Sequence, residues 1–370
     1  MKAREIRALG AALLMFMIGF GAQAQNRRNV PPIRHVFVIV LENTGYDTTF
    51  RDSSAAPYLA DTLRKQGALL RQYHGIGHVS LDNYIAMISG LAPTRETQID
   101  CPRFIDFVDT AAAKDGQPAG AGCVYPSRIK NVANQLDAKG LAWKAYMEDM
   151  GADPAREAAT CGHPVLGSID STERATPTDQ YATKHDPFMY FHSIIDTPEC
   201  QKNVVALPAL ESDLRSAGTT PNLVFMAPNL CHDGHDHPCR NGEPGGLVSA
   251  DAFLQHWVPL ITSSPAFQND GLLVITFDEA LTIDASACCH ERTGPNVLHP
   301  GINGPGGGRI GAVVLSRFIK PGTISSVPYN HYALLRTIED IFGLPYLGYA
   351  GQKGLSSFGR DVFTQPHARR

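Results

Sequence analysis

The chain has 370 residues, 43% hydrophobic and 18% charged, with a formal net charge of −4. That is an ordinary globular balance without a basic surplus. It excludes an electrostatic nucleic-acid binder and argues against non-specific attachment to anionic membranes.

Taken in chain order, residues 1–24 read as a secretory signal. Lys2, Arg4 and Arg7 form a basic start, residues 8–21 an apolar stretch, and Ala22-Gln23-Ala24 a small-x-small cleavage pattern. This predicts a periplasmic or secreted protein whose mature part, residues 25–370, is one domain. No later segment is long and apolar enough to cross a bilayer, so no stable membrane insertion is expected. Residues 35–41 are a continuous apolar, β-branched run, the pattern of a buried parallel strand. Residues 57–67 predict a helix between Pro57 and Gly67, residues 68–73 a second strand, and residues 80–89 an amphipathic helix. Residues 93–127 look like loop. A helix over 128–139 and a strand over 141–147 follow, then an irregular insert over 151–185. The later elements are a helix at 207–216, a strand at 222–226, a helix at 250–261, strands at 271–277 and 310–315, and a closing helix at 331–342 before Gly343.

This alternation predicts an α/β fold: a doubly wound, mostly parallel central sheet with helices on both faces and long loop insertions. Ligands bind such sheets at the carboxyl ends of the strands. All eight cysteines lie in the exported part, and their even number suggests disulfides. Cys101 with Cys123, and Cys231 with Cys239, would close local loops. The neighbours Cys288 and Cys289 are expected each to reach another loop, because a bridge between adjacent residues is strained.

Several strand ends carry chemistry. The first ends in Glu42-Asn43, and the strand at 271–277 ends in Asp278-Glu279. The strand at 222–226 runs into a tract holding His232, Asp233, His235 and His237, and Ser80 opens a helix. Ser80 has two readings: a helix cap, or a hydroxyl at the positive end of the helix dipole, where an alkoxide is eased. Carboxylates converging on one edge repel one another unless a cation binds. Oxygen donors suit a hard divalent ion (Mg, Mn or Ca), and histidine shifts preference toward Zn or Mn. Such an ion would lower the pKa of the Ser80 hydroxyl and polarise a phosphoryl oxygen.

Read together, these segments resemble the phosphoesterase family of bacterial acid phosphatases and phospholipases C, within the alkaline phosphatase superfamily. The matching stretches are residues 35–43 with Tyr46 and Asp47, 56–59, 80–90, 143–149, 184–188, 228–235, 273–279 and 331–339. They span nearly the whole mature chain in the family's order. The resemblance implies an alkaline phosphatase-like fold. It implies metal ligands at Glu42, Asn43, Ser80, Asp278 and Glu279, with Ser80 also the nucleophile. Asn83 and His78 are expected near the substrate phosphate. His185, His235 and His331 are expected around the site, one of them acting as the acid for the leaving group. Asp82 departs from the pattern, since the family usually has proline there. The Cys288-Cys289-His290 segment and the glycine-rich stretch at 304–309 match no assigned feature.

The chain ends soon after the closing helix, whereas the phospholipase C members tend to be longer. The resemblance therefore favours hydrolysis of phosphomonoesters through a phosphoserine intermediate, on a phosphorylated small molecule or a phospholipid headgroup such as a phosphoinositide. The alternatives are a phospholipase C-type diesterase and an inactive secreted protein that keeps only the metal and phosphate site.

Overall fold

A computed structural model describes residues 30–364; the signal reading over 1–24 lies outside them. Eight strands form the central sheet: β1 (His35–Leu41), β2 (Ala68–Leu70), β3 (Trp143–Met147), β4 (Val204–Ala206), β5 (Leu223–Ala227), β6 (Gly271–Phe277), β7 (Ala312–Leu315) and β8 (Thr323–Ser325). Their spatial order is β8-β2-β7-β6-β1-β5-β3-β4. β1 pairs in parallel with both β5 and β6. Only β7 runs against the rest, antiparallel to β6 and β2. The mostly parallel sheet read from the sequence is therefore present, with one reversed strand near an edge.

Every residue of β1 and β6 is buried, which is why both read as unbroken apolar runs rather than alternating ones. Register shows that both faces are covered. Phe37 is paired with Val224, so Phe225 on β5 faces the opposite side from Phe37. Phe37 packs on Phe267 of the helix Pro265–Asp270, whereas Phe225 packs on Tyr84. Tyr84 belongs to α1 (Ser80–Ser89), and the closing helix α2 (His331–Phe342) packs beside α1. Both termini of α2 follow local rules. Asn330 accepts the Ala333 amide as its cap, and Gly343, in the left-handed region at φ +64°, ends it.

Four sequence expectations are corrected. The strand expected over 68–73 breaks after Leu70 and resumes as the two-residue strand Tyr73–His74, which pairs outside the central sheet. The helix expected over 128–139 is confined to Val132–Ala138, because Asn131 caps it with a reciprocal Asn134 contact. The stretch read as loop over 93–127 contains a hairpin, Val108–Lys114 with Gln117–Ala121. Its turn places Asp115 and Gly116 both at positive φ, the geometry an Asp-Gly pair favours. Finally, Cys288 and Cys289 pair with each other rather than with other loops. The other six cysteines are consumed by Cys101–Cys123, Cys161–Cys200 and Cys231–Cys239, so no free thiol is left for either to meet.

Candidate active site

The register of the central strands brings the acidic residues together. Leu41 pairs with Phe277, so the next residues, Glu42 and Asp278, leave adjacent strands at the same level. The Asp278 amide donates to Leu41 O at 2.8 Å, and the Glu42 amide to Asp233 O at 2.8 Å. The segment after β5 thus folds back beside the end of β1. Asn43 sits at φ +54°, a conformation asparagine tolerates better than most residues, and this turns the chain sharply after Glu42.

Ser80 is the first residue of α1, and its side chain caps nothing. Its Oγ donates instead to Glu42 Oε2 at 2.7 Å. Asn43 Nδ2 donates to the same oxygen at 2.7 Å. Asp278 Oδ1 accepts the amides of Asn43 at 2.9 Å and Glu279 at 2.6 Å. His185 Nε2 lies 3.2 Å from Glu42 Oε1, and His185 Nδ1 lies 3.7 Å from Asp233 Oδ2. The His185 ring stacks on Tyr84 at 5.1 Å between centroids.

Several buried polar atoms are left over here. Glu42 Oε1, Asp278 Oδ2, Asp233 Oδ2 and both His185 nitrogens have no hydrogen-bond partner among the described residues. Native interiors rarely leave such groups unpaired without a reason. Burial raises the Glu42 carboxyl well above its ordinary range, with Asp278 adding to it. Burial pushes Asp278 up to about 8, and burial, then Glu42, raises Asp233. Burial, then Lys184, holds His185 well below the usual imidazole range, so it is a neutral donor. Oxygen donors with one neutral imidazole are the set a divalent cation takes, and a positive ion would relieve the mutual repulsion of the acids. The side chains present therefore fit a divalent metal.

Other expected site residues take supporting positions. Glu279 turns its carboxylate to His78 Nδ1, and His78 Nε2 is anchored on Asp284 O at 3.1 Å. Neither side chain joins the Glu42 group in this arrangement. Asn83 is fully engaged: its Oδ1 accepts the amides of Ile76 and Gly77, and its Nδ2 donates to Gly77 O and Val79 O. It fixes the loop that delivers Ser80 and leaves no amide atom for a ligand. In the same loop Gly75 is required by proximity, since a Cβ there would lie 2.7 Å from Asp278 O. His331 sits beneath the site. Its Nε2 donates to Asp278 O at 2.6 Å, and its Nδ1 lies 3.2 Å from the Tyr73 hydroxyl. His235 is exposed, and its amide donates to Asp233 Oδ1 at 2.9 Å.

Sequence reading gave no role to Asp100 or Lys184. Asp100 Oδ1 accepts the Leu81 amide at 2.9 Å, capping α1 from a distant loop, and Asp100 Oδ2 pairs with Lys184 at 2.8 Å. Burial alone would lower Lys184, but Asp100 and Glu173 hold it above its ordinary value, so it stays charged beside Glu42. Lys184 adjoins His185, which was the one sequence signal for it. The surface cavities of about 340 and 460 Å³ lined by Pro32, Ile33 and Phe342 lie before β1, at the opposite end of the sheet, and carry none of this chemistry.

The fold and this edge define an α/β protein with acidic strand ends gathered around a helix-borne serine. A family model described as the Phosphoesterase family matches residues 50–345, and the chain belongs to that family. It is 26% identical over 320 residues to a probable acid phosphatase of Kluyveromyces lactis, covering 85% of this chain and 59% of that protein. The chain thus spans less than two thirds of that relative's length. It is 24% identical over 348 residues to a phosphatidylinositol-3-phosphatase of Mycobacterium tuberculosis, covering 93% of this chain and 89% of that one. A Vibrio parahaemolyticus protein of the alkaline phosphatase superfamily has the same fold, with a TM-score of 0.51 at 12% identity over 92% of this chain and 73% of that one.

Proposed function

We propose that the chain is a secreted, metal-dependent phosphomonoesterase of the acid phosphatase type, acting through a phosphoserine at Ser80, with phosphoinositide headgroups among its substrates. The observation that carries this reading is the Ser80 Oγ, aimed at Glu42 Oε2 in the first turn of α1 rather than at its own backbone. Similarity to proteins named for phosphatase activity supports the substrate class.

Glu42, Asp278 and Ser80 would hold the cation, with Asn43 reaching it by a half-turn of its amide. His185 and Asp233 offer further donors on the far side of Glu42, and Glu279 would join only by leaving His78. When bound, the ion supplies Lewis acidity, lowering the Ser80 pKa and neutralising a phosphoryl oxygen. Glu42 Oε2 is placed to receive the Ser80 proton as Oγ attacks phosphorus. The phosphorus–oxygen ester bond breaks, and the leaving alkoxide takes a proton. His235 is the assigned acid, because it meets solvent while both nitrogens of His331 are engaged below the site. Water then cleaves the phosphoserine, releasing phosphate and restoring the hydroxyl. Lys184, held charged by Asp100 and Glu173, adds positive charge beside Glu42 on this edge.

Ser80→Ala is expected to lower kcat for p-nitrophenyl phosphate by at least ~10³-fold, the scale of losing a covalent catalyst. Acid quenching of the wild type should trap phosphate on Ser80, detectable by peptide mass spectrometry. Turnover retained in Ser80→Ala would remove the nucleophile from the mechanism. Faster cleavage of p-nitrophenylphosphorylcholine than of the monoester would make the protein a diesterase.

A further inference from the structure

Aliphatic side chains are left in solvent along one side of the site. Ile99 is 60% exposed, Val165 77%, Ile169 60% and Leu298 83%, with Leu166 beside them at 44%. Such residues scattered singly would need no explanation, but these sit on three loops that are bonded to one another. Ile169 bridges Arg103, the Phe104 amide donates to Ser168 O at 3.0 Å, and the Asp170 amide to Pro102 O at 3.0 Å. Gln98 Nε2 donates to His299 O and Pro300 O, which ties the segment carrying Leu298 to the segment carrying Ile99. The patch adjoins the catalytic edge: Asp100, next to Ile99, holds both the Leu81 amide and Lys184, and Pro300 O accepts the His78 amide.

Its charge is one-sided. Arg95, Arg103 and Arg174 are exposed among these aliphatic residues. The acids of the same segments are turned inward: Asp100 and Asp170 are buried, and Glu96 and Glu173 are only partly exposed. Aliphatic side chains interleaved with arginines match the two layers of a bilayer surface, acyl boundary and anionic phosphate. The net charge of −4 conceals this local asymmetry.

We propose that the surface formed by residues 95–103, 165–174 and 298–302 docks reversibly on an anionic phospholipid bilayer, setting the mouth of the site at the headgroup level. The docking rests on the proposed phosphatase reading only for its purpose; the binding itself is read without turnover. The test is co-sedimentation of the full-length mature protein, in chelator, with three vesicle preparations: phosphatidylcholine alone, phosphatidylcholine with phosphatidylserine, and phosphatidylcholine with a phosphoinositide. Binding is expected to both anionic preparations and to fall steeply with salt. Leu166→Glu combined with Ile169→Glu should reduce it at least fivefold, and Arg103→Ala combined with Arg174→Ala should remove the preference for anionic lipid. Leu260→Glu, on the helix Gly246–Ser263, should leave binding unchanged. Hydrolysis of p-nitrophenyl phosphate should be the same in all these variants, which also certifies their folding. Absence of binding to phosphatidylserine vesicles, binding confined to the phosphoinositide vesicles, or equal binding by the Leu166/Ile169 double variant would overturn the proposal. If soluble esters are not hydrolysed while vesicles still bind, the enzymatic reading fails and the docking stands.

Discussion

At the scale of single residues, the decisive contrast is between Ser80 and Asp82. Both are buried in the first turn of α1. Ser80 finds an acceptor in Glu42, whereas neither Asp82 oxygen has a well-formed hydrogen-bond partner among the described residues. A Cβ on Gly77 would lie 2.6 and 2.8 Å from those oxygens, so the glycine lets the carboxylate in without offering it a donor. Burial, then Asp100, raises the Asp82 carboxyl well above its ordinary range. A raised acid favours folding while protonated and loses that contribution as pH climbs through its folded-state pKa. Asp82→Asn should therefore stabilise the protein at pH 8, by about 1–3 kcal/mol, and much less at pH 4. Urea denaturation at the two pH values measures this. Equal or lower stability of the variant at pH 8 would mean that the carboxylate has a compensating partner.

At the scale of elements, the long insert between β3 and β4 presents His185, yet its stretch from residue 148 to 182 contains no helix or strand. The Cys161–Cys200 bridge ties it down across a sequence separation of 39. Closing a loop of that size should be worth about 2–4 kcal/mol. Replacing both cysteines by serine should lower the urea midpoint accordingly. The same change at Cys288 and Cys289 should do far less, because adjacent residues close no loop. The hairpin at 108–121 teaches a related lesson. Its Asp115-Gly116 pair is a hairpin signal that the loop reading of 93–127 did not use. Its first strand is exposed along its whole length, so the alternation that usually marks a strand was missing.

At the scale of the whole molecule, buried acids set the pH response. Asp278 and Asp186 are pushed up to about 8, Glu291 to about 8 and Glu339 to about 9, in each case chiefly by burial. The folded state thus binds more protons than the unfolded chain between the ordinary carboxylate range and these values, and stability falls as pH rises through that window. In chelator, the melting temperature should be clearly lower at pH 8 than at pH 5. Added Mn²⁺ should raise it more at pH 8 than at pH 5, because an ion bound by raised acids displaces their protons and that displacement costs less as pH rises. Scanning fluorimetry in four buffers checks both signs. A cation effect larger at pH 5 would mean that the ion binds elsewhere.

The sequence by itself determined the alternation of elements, the buried strands at 35–41 and 271–277, the helices opening at Ser80 and His331, and the residue types at the strand ends. These depend on local periodicity, capping and turn chemistry, which act over a few neighbouring positions. Only the tertiary structure decided which of the gathered side chains face one another. Glu42 and Asp278 meet because two strands pair in a given register, while Glu279 is diverted to His78 and Asn83 is spent on its own loop. Asp100 caps a helix from a separate loop, and Arg103 is bridged to Ile169 from a segment distant in sequence. Those outcomes turn on distances of a few ångströms between segments far apart in the chain, and local sequence carries no record of such distances.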